Sequence, residues 1–155
     1  MSRAFVKEND DAPEAPQPDI PVGSAPNLVT ERGAGLILER IAGLRRALEG
    51  LAEQEAEPLR RELRYWEARR ASMRLLRQDP GAGAVGFGTE VVVRRPEGLQ
   101  TLRIVGEDEA DPLRGLLAWT SPLARALDEA EPGEIVDFEA GGRTTPLEIL
   151  SVRPL

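Results

Sequence analysis

The 155-residue chain contains no cysteine and no histidine. These two absences remove disulfides, Cys/His metal sites, thiol nucleophiles, Ser-His-Asp triads and imidazole acid–base chemistry. Any metal must then be held by carboxylates alone. Lysine is nearly missing as well, because every one of the 20 basic residues except Lys7 is an arginine. No apolar run approaches the roughly 20 residues that cross a bilayer. The opening Met1–Asp10 turns acidic before a signal-peptide core can form. The expected location is the cytoplasm, with no membrane contact.

What is present is charge, unevenly placed. The net charge is -7, but residues 1–27 carry 2 basic and 5 acidic groups, residues 28–84 carry 11 and 9, and residues 85–155 carry 7 and 13. Nonspecific affinity for duplex DNA comes from neutralising phosphates with basic side chains. Direct DNA binding is therefore not expected, and a protein partner is. The length suits two small units.

Residues 8–27 hold five prolines, at Pro13, Pro16, Pro18, Pro21 and Pro26, among acidic and small residues. Such a segment buries too little apolar surface to offset its ordering entropy, so residues 1–27 read as a disordered acidic tail. From Thr30, a plausible N-cap, the pattern turns helical. Ala34, Ile37, Ile41, Leu44, Leu48 and Leu51 follow the alternating three and four spacing of a coiled-coil seam, and Leu59, Leu63, Trp66, Arg70 and Met73 form a second such series. Arg70 can lay its aliphatic stem on that seam. With Pro58 placed in a first helical turn, the chain reverses near Glu53 to Glu57, giving an antiparallel coiled-coil hairpin over residues 28–80. One continuous dimerising helix is the competing arrangement, opposed by Pro58 and Gly50.

Asp79-Pro80-Gly81-Ala82-Gly83 breaks the helical pattern. Strands are expected at Thr89–Arg94, Leu99–Val105, Leu116–Trp119, Glu134–Glu139 and Thr145–Val152, with turns at Pro96-Glu97-Gly98, Pro132-Gly133 and Gly141-Gly142. Ser121–Leu127 suits one short helix, Ser121 as N-cap and Pro122 at the first position. The fold class is α+β, with residues 81–155 forming a small antiparallel sheet and one helix on a face.

Five blocks in order carry a family resemblance: Val85-Gly86-Phe87-Gly88-Thr89, Arg103 to Asp111, Ser121-Pro122-Leu123-Ala124-Arg125-Ala126-Leu127, Pro132-Gly133-Glu134 and Leu147-Glu148-Ile149-Leu150. From about Leu28 onward the sequence resembles bacterial Gre-type transcription elongation factors, the GreA/GreB family. The resemblance implies an FKBP-like C-terminal domain docked on the rim of the secondary channel of core RNA polymerase, with the hairpin inserted into the channel and a monomeric chain. It assigns polymerase contacts to Thr120, Ser121, Pro122 and Leu123, with Arg125 beside them. Ser121-Pro122 equally serves as a helix cap, with Leu123 packing inside. For Glu107, Asp108, Glu109 and Asp111 the favoured reading is a solvated acidic turn, the other being contact with a basic rim.

The hairpin departs from the family. Cleaving Gre factors carry a tip motif resembling Gly-Asp-Leu-Ser-Glu-Asn-Ala-Glu-Tyr, whose acids help hold a second magnesium at the polymerase active site, and nothing here matches it. The tip offers Glu49, Glu53, Glu55 and Glu57 instead, a possible Mg-coordinating set by chemistry, although glutamates at exposed helix ends usually just solvate. The arm from Ala34 to Leu51 reaches roughly 27 Å, shorter than the family's usual arms. In this it is similar to shortened members, Rnk-like or Gre-like inhibitors. Arg45, Arg46, Arg60, Arg61 and Arg64, with Arg40, are candidate contacts for the nascent RNA 3' end, or else members of surface ion pairs. Trp66 falls on the seam, which favours packing over base stacking.

The expected function is therefore a regulator of elongation, pausing or backtracking without strong cleavage stimulation. It is not an enzyme itself and has no cofactor of its own beyond a magnesium shared with polymerase. A transcript-cleavage factor using the tip glutamates is the alternative, and a coiled-coil adaptor or an FKBP-like prolyl isomerase stand further off. The isomerase is disfavoured by the small aromatic set, Phe5, Phe87, Phe138, Tyr65, Trp66 and Trp119, and because fold alone does not establish function.

Overall fold

The computed structural model describes residues 17–77 and 83–155. The first sixteen residues of the acidic tail, and most of the expected break at Asp79–Gly83, lie outside this range. The chain is α+β, with two helices followed by a five-stranded sheet.

Strand β1 (Asn27–Val29) leads into helix α1 (Glu31–Leu48). Thr30 caps α1 as its sequence position suggests, its side chain accepting from the Gly33 amide at 2.9 Å. The link Glu49–Ala52 joins α1 to α2 (Glu53–Ser72), which runs into strand β2 (Met73–Leu75). Strands β1 and β2 pair in parallel, Asn27 opposite Met73 and Val29 opposite Leu75.

Two expectations for the helices change. The reversal comes earlier than Glu53 to Glu57, because Gly50 takes a positive φ of 77° and supplies the break. Pro58 consequently falls inside α2 rather than in its first turn, while Glu53 and Glu55 occupy that turn, where the positive helix end favours acids. The second change concerns the seam. Ile37, Ile41 and Leu44 are buried on α1, and Leu63, Trp66 and Met73 pack against the Val29–Ile37–Ile41 cluster. Arg70 is exposed, however, and Arg69 is buried in its place. Leu51 is exposed too, while Leu44 and Ala56 are buried, so the packing of the helix pair reaches the start of α2 but leaves Leu51 outside it.

All five expected strands form: β3 (Thr89–Arg95), β4 (Gly98–Val105), β5 (Leu116–Ala118), β6 (Ile135–Ala140) and β7 (Arg143–Pro154). They lie in the order β5-β4-β3-β7-β6. The sheet is not wholly antiparallel, since β4 and β5 run parallel with Arg103 opposite Leu116. Helix α3 (Pro122–Leu127) covers one face. Beneath it Val91, Val93, Leu102, Ile104, Leu147 and Ile149 form the core with Ala124 and Leu127, alternating along each strand as a one-sided sheet requires.

Candidate docking site

The segment before α3 is held in place by its neighbours. The Thr120 hydroxyl donates to Glu107 Oε1 at 3.1 Å, and Ser121 caps α3 by accepting from the Ala124 amide at 3.3 Å. Pro122 is exposed in the first turn, Leu123 packs partly into the core, and Arg125 is exposed. Capping and availability thus coexist. Pro122 and Arg125 are exposed and Thr120 and Ser121 half-buried, while Leu123 packs against the core.

Sequence reasoning missed what lies under this segment. The 3-10 turn Glu107–Glu109 is no solvated acidic loop; it is the joint between helix pair and sheet. Arg69, with 2% of its side chain exposed, donates from Nε to Asp108 Oδ2 at 2.6 Å, and the Asp108 side chain is itself 8% exposed. The same guanidinium donates to Asn27 Oδ1 at 2.7 Å and to Glu107 Oε2 at 3.4 Å. Tyr65 donates to Asp108 Oδ1 at 3.3 Å. Burial raises the Tyr65 phenol above its ordinary pKa, and the Asp108 charge adds to this, so the phenol stays a donor. Glu109 accepts from the Thr30 hydroxyl, and from Arg32 Nη1 at 2.8 Å, at the positive end of α1. A charged pair this dry is worth having only when its donors and acceptors are answered, and here Arg69 Nε and Nη2 and both Asp108 carboxylate oxygens have partners. Glu107 therefore touches both Arg69 of α2 and Thr120 of the candidate docking segment. The available signal was three acids in a row after Gly106, read without partners because those partners sit far away in sequence.

Two close approaches set this joint. A Cβ on Gly106 would stand 2.5 Å from the Leu28 carbonyl oxygen, and one on Gly33 would stand 2.9 Å from Glu109 Oε2. Real side chains do not tolerate the first contact, so β1 can lie against the sheet only because residue 106 is glycine.

The tip glutamates are not gathered. Glu53 accepts from Arg60, whose Nη2 lies 3.1 Å from Oε2, and Glu57 accepts from Arg64 at 3.1 Å. These contacts lower the Glu53 carboxyl below its ordinary value, the hydrogen bond from Arg60 first and its charge second. Glu49 and Glu55 are exposed. Among the described residues no three acidic side chains form a group able to hold a metal ion.

The candidate RNA-contacting arginines are similarly engaged. Arg40 donates to Glu62 and Arg45 to Glu67, at 2.6 and 2.8 Å, while Arg64 meets Asp19 and Arg61 meets Gln17, at 2.8 and 2.9 Å. Arg46 is exposed. Trp66 packs in the seam as expected, its indole N–H donating to Glu62 at 3.1 Å.

The main cleft, of about 980 Å³, opens between the start of α1 and the strands β4 and β7, and no aromatic side chain lines it. At its floor Glu90 accepts from Arg103 at 2.8 Å and from Arg153 at 2.7 Å. Burial pushes the Glu90 carboxyl up, but the two arginines outweigh it and hold it below its ordinary value. A proline-binding aromatic pocket, as an isomerase would need, is not what this cleft provides.

Residues 80–154 match the family described as transcription elongation factor, GreA/GreB, C-terminal. The C-terminal half of the chain is similar to the GreA/GreB family. The chain is 44% identical over 81 residues to transcription elongation factor GreA of Alkalilimnicola ehrlichii, covering 48% of this chain and 51% of that protein. Against GreA of Methylococcus capsulatus the identity is 37% over 91 residues, covering 56% and 58%. The chain thus spans about half the length of the curated relatives it matches. Among solved structures, GreA factor homolog 1 of Thermus thermophilus is 14% identical with a TM-score of 0.41, covering 83% of this chain and 99% of that one. A GreA/GreB factor from Nitrosomonas europaea is 18% identical with a TM-score of 0.41, covering 88% and 99%.

Proposed function

We propose that this Gre-family chain regulates transcription elongation by docking on core RNA polymerase at the rim of the secondary channel. The reading holds that Thr120, Ser121, Pro122 and Arg125 make the contact, that the sheet unit is the FKBP-like dock, and that the helix pair enters the channel as a short coiled coil. The observation that carries it is the Gre match over residues 80–154, which contains this exposed surface. The chain acts as a monomer in the cytoplasm, alters pausing or backtracking, and makes no direct contact with DNA.

The proposed mode is regulation without strong cleavage stimulation. Its support is the tip, where Glu53 and Glu57 are turned onto Arg60 and Arg64 instead of being left free for a cation. A two-metal site needs carboxylate oxygens delivered to about 2.1 Å from the second ion. Transcript cleavage on stalled elongation complexes tests this directly. Co-purification with core polymerase without release of a short 3' RNA fragment is the expected result. Fragment release that is lost in Glu53→Ala with Glu55→Ala would establish the alternative, in which Glu49, Glu53, Glu55 and Glu57 hold a magnesium shared with polymerase. Failure to bind polymerase would leave the coiled-coil adaptor.

A further inference from the structure

The main cleft is lined by the start of α1 and not by the tip glutamates, and its side chains carry an unmatched charge. Five arginines from five separate places line it: Arg32 in the first turn of α1, Arg77 after β2, Arg103 on β4, Arg114 before β5 and Arg153 on β7. Only three glutamates share the wall, and each is already answered. Glu31 pairs with Arg77 at 2.7 Å, Glu109 with Arg32 at 2.8 Å, and Glu90 with both Arg103 and Arg153. Arg114 has no ion-pair partner among the described residues and is exposed. Counting side chains, the wall holds two more positive than negative charges.

That surplus is local. Residues 85–155 as a whole are acidic, with 7 basic and 13 acidic groups, so a long polyanion laid over this half meets mostly repulsion. A small anion that enters the cleft meets the opposite field, because concave walls of one sign concentrate potential. Planar guanidinium forks arriving from several walls suit a tetrahedral group with oxygens pointing several ways better than a planar carboxylate, which one fork satisfies. Buried Val105 and Leu116 add an apolar floor beside the charges.

We propose that this cleft is a binding site for a small phosphate-bearing polyanion, held by Arg114 with Arg103 and Arg153. The ligand enters between α1 and the sheet, so its binding bridges the two units at the joint built by Glu109 and Arg32. This site is independent of polymerase docking, and its test needs no polymerase.

The experiment titrates pyrophosphate into the full chain at constant ionic strength, followed by calorimetry and by amide chemical shifts. The expected result is saturable one-to-one binding with shifts at the cleft. Arg114→Ala, at an exposed and unpaired position, should weaken it roughly tenfold, the loss of one charge-assisted contact. Arg143→Ala, at an exposed arginine of the β6–β7 turn outside the cleft, should leave affinity unchanged. Equal weakening by both variants, which generic attraction produces, would overturn the site. Absence of saturation at millimolar pyrophosphate, or binding of single-stranded RNA with the same Arg114 dependence in its place, would overturn it as well.

Discussion

Arg69 is the residue on which the two units turn. Its guanidinium is almost fully withdrawn from water and is compensated by Asp108, Glu107 and Asn27. Removing one partner of such a cluster leaves an uncompensated buried charge, an effect of about 3–5 kcal/mol. Arg69→Ala should therefore lower unfolding stability by that order, read from urea denaturation, and a loss under 1 kcal/mol would show that Asp108 rehydrates without it. Arg70→Ala, one position along and exposed, should change little. Heptad counting on the sequence chose Arg70 because spacing alone is blind to what stands opposite. The acids that select Arg69 come from residues 107 and 108, and no local pattern links them.

Glu90 gives a residue-scale pH dependence. Its folded pKa lies below its unfolded value, so the stability it contributes is fully present above the ordinary glutamate range, roughly 4.3. That contribution fades as pH falls through the lower folded value. The melting temperature of the parent should exceed that of Glu90→Gln at pH 7, and the gap should close on acidification below about pH 4. A gap that stays constant to pH 3 would mean the Arg103 and Arg153 contacts do not depend on the charge.

At the scale of elements, the sheet was largely legible and the helix ends were not. Alternating apolar residues in β3, β4 and β7 announce a one-sided sheet, and Ser121-Pro122 announces the start of α3. Strands β1 and β2 were missed, since each has three residues and their pairing joins Asn27 to Met73 across both helices. The parallel β4–β5 pair was missed for a similar reason, because the intervening turns disguise a crossover as a hairpin. Pro58 misled in another way. Proline at a first turn is the common case, yet here Gly50 ends the preceding path and α2 starts early enough to place Pro58 within it. An interior proline forfeits one backbone hydrogen bond and crowds the turn before it. Pro58→Ala should accordingly stabilise the chain by about 1 kcal/mol or more, after allowance for the freer unfolded chain. Equal or lower stability by denaturation would argue that the early helix start is wrong.

For the whole molecule, the relevant fact is that one turn touches both the joint and the proposed docking surface. Glu107 accepts from Thr120 at 3.1 Å on one side and from Arg69 at 3.4 Å on the other. The sequence offered Thr120 to Arg125 as a candidate docking segment through its family resemblance, but the connection through Glu107 needed coordinates. If docking and helix direction are set by separate contacts meeting at Glu107, variants should separate affinity from effect. Pro122→Asp places a charge on the exposed surface and should weaken co-purification with core polymerase by tenfold or more, with the regulatory effect lost in proportion. Glu107→Ala leaves Ser121, Pro122 and Arg125 in place but removes the one side chain that touches both Arg69 of α2 and Thr120, so binding should fall only a few-fold while the change in pause lifetime per bound factor falls much further. Proportional loss in both variants would mean that Glu107 only shapes the docking surface. A Glu107→Ala chain that binds weakly but acts fully when saturating would place the aim of the helix pair on Asp108 and Glu109, whose contacts to Arg69, Tyr65 and Arg32 survive that substitution.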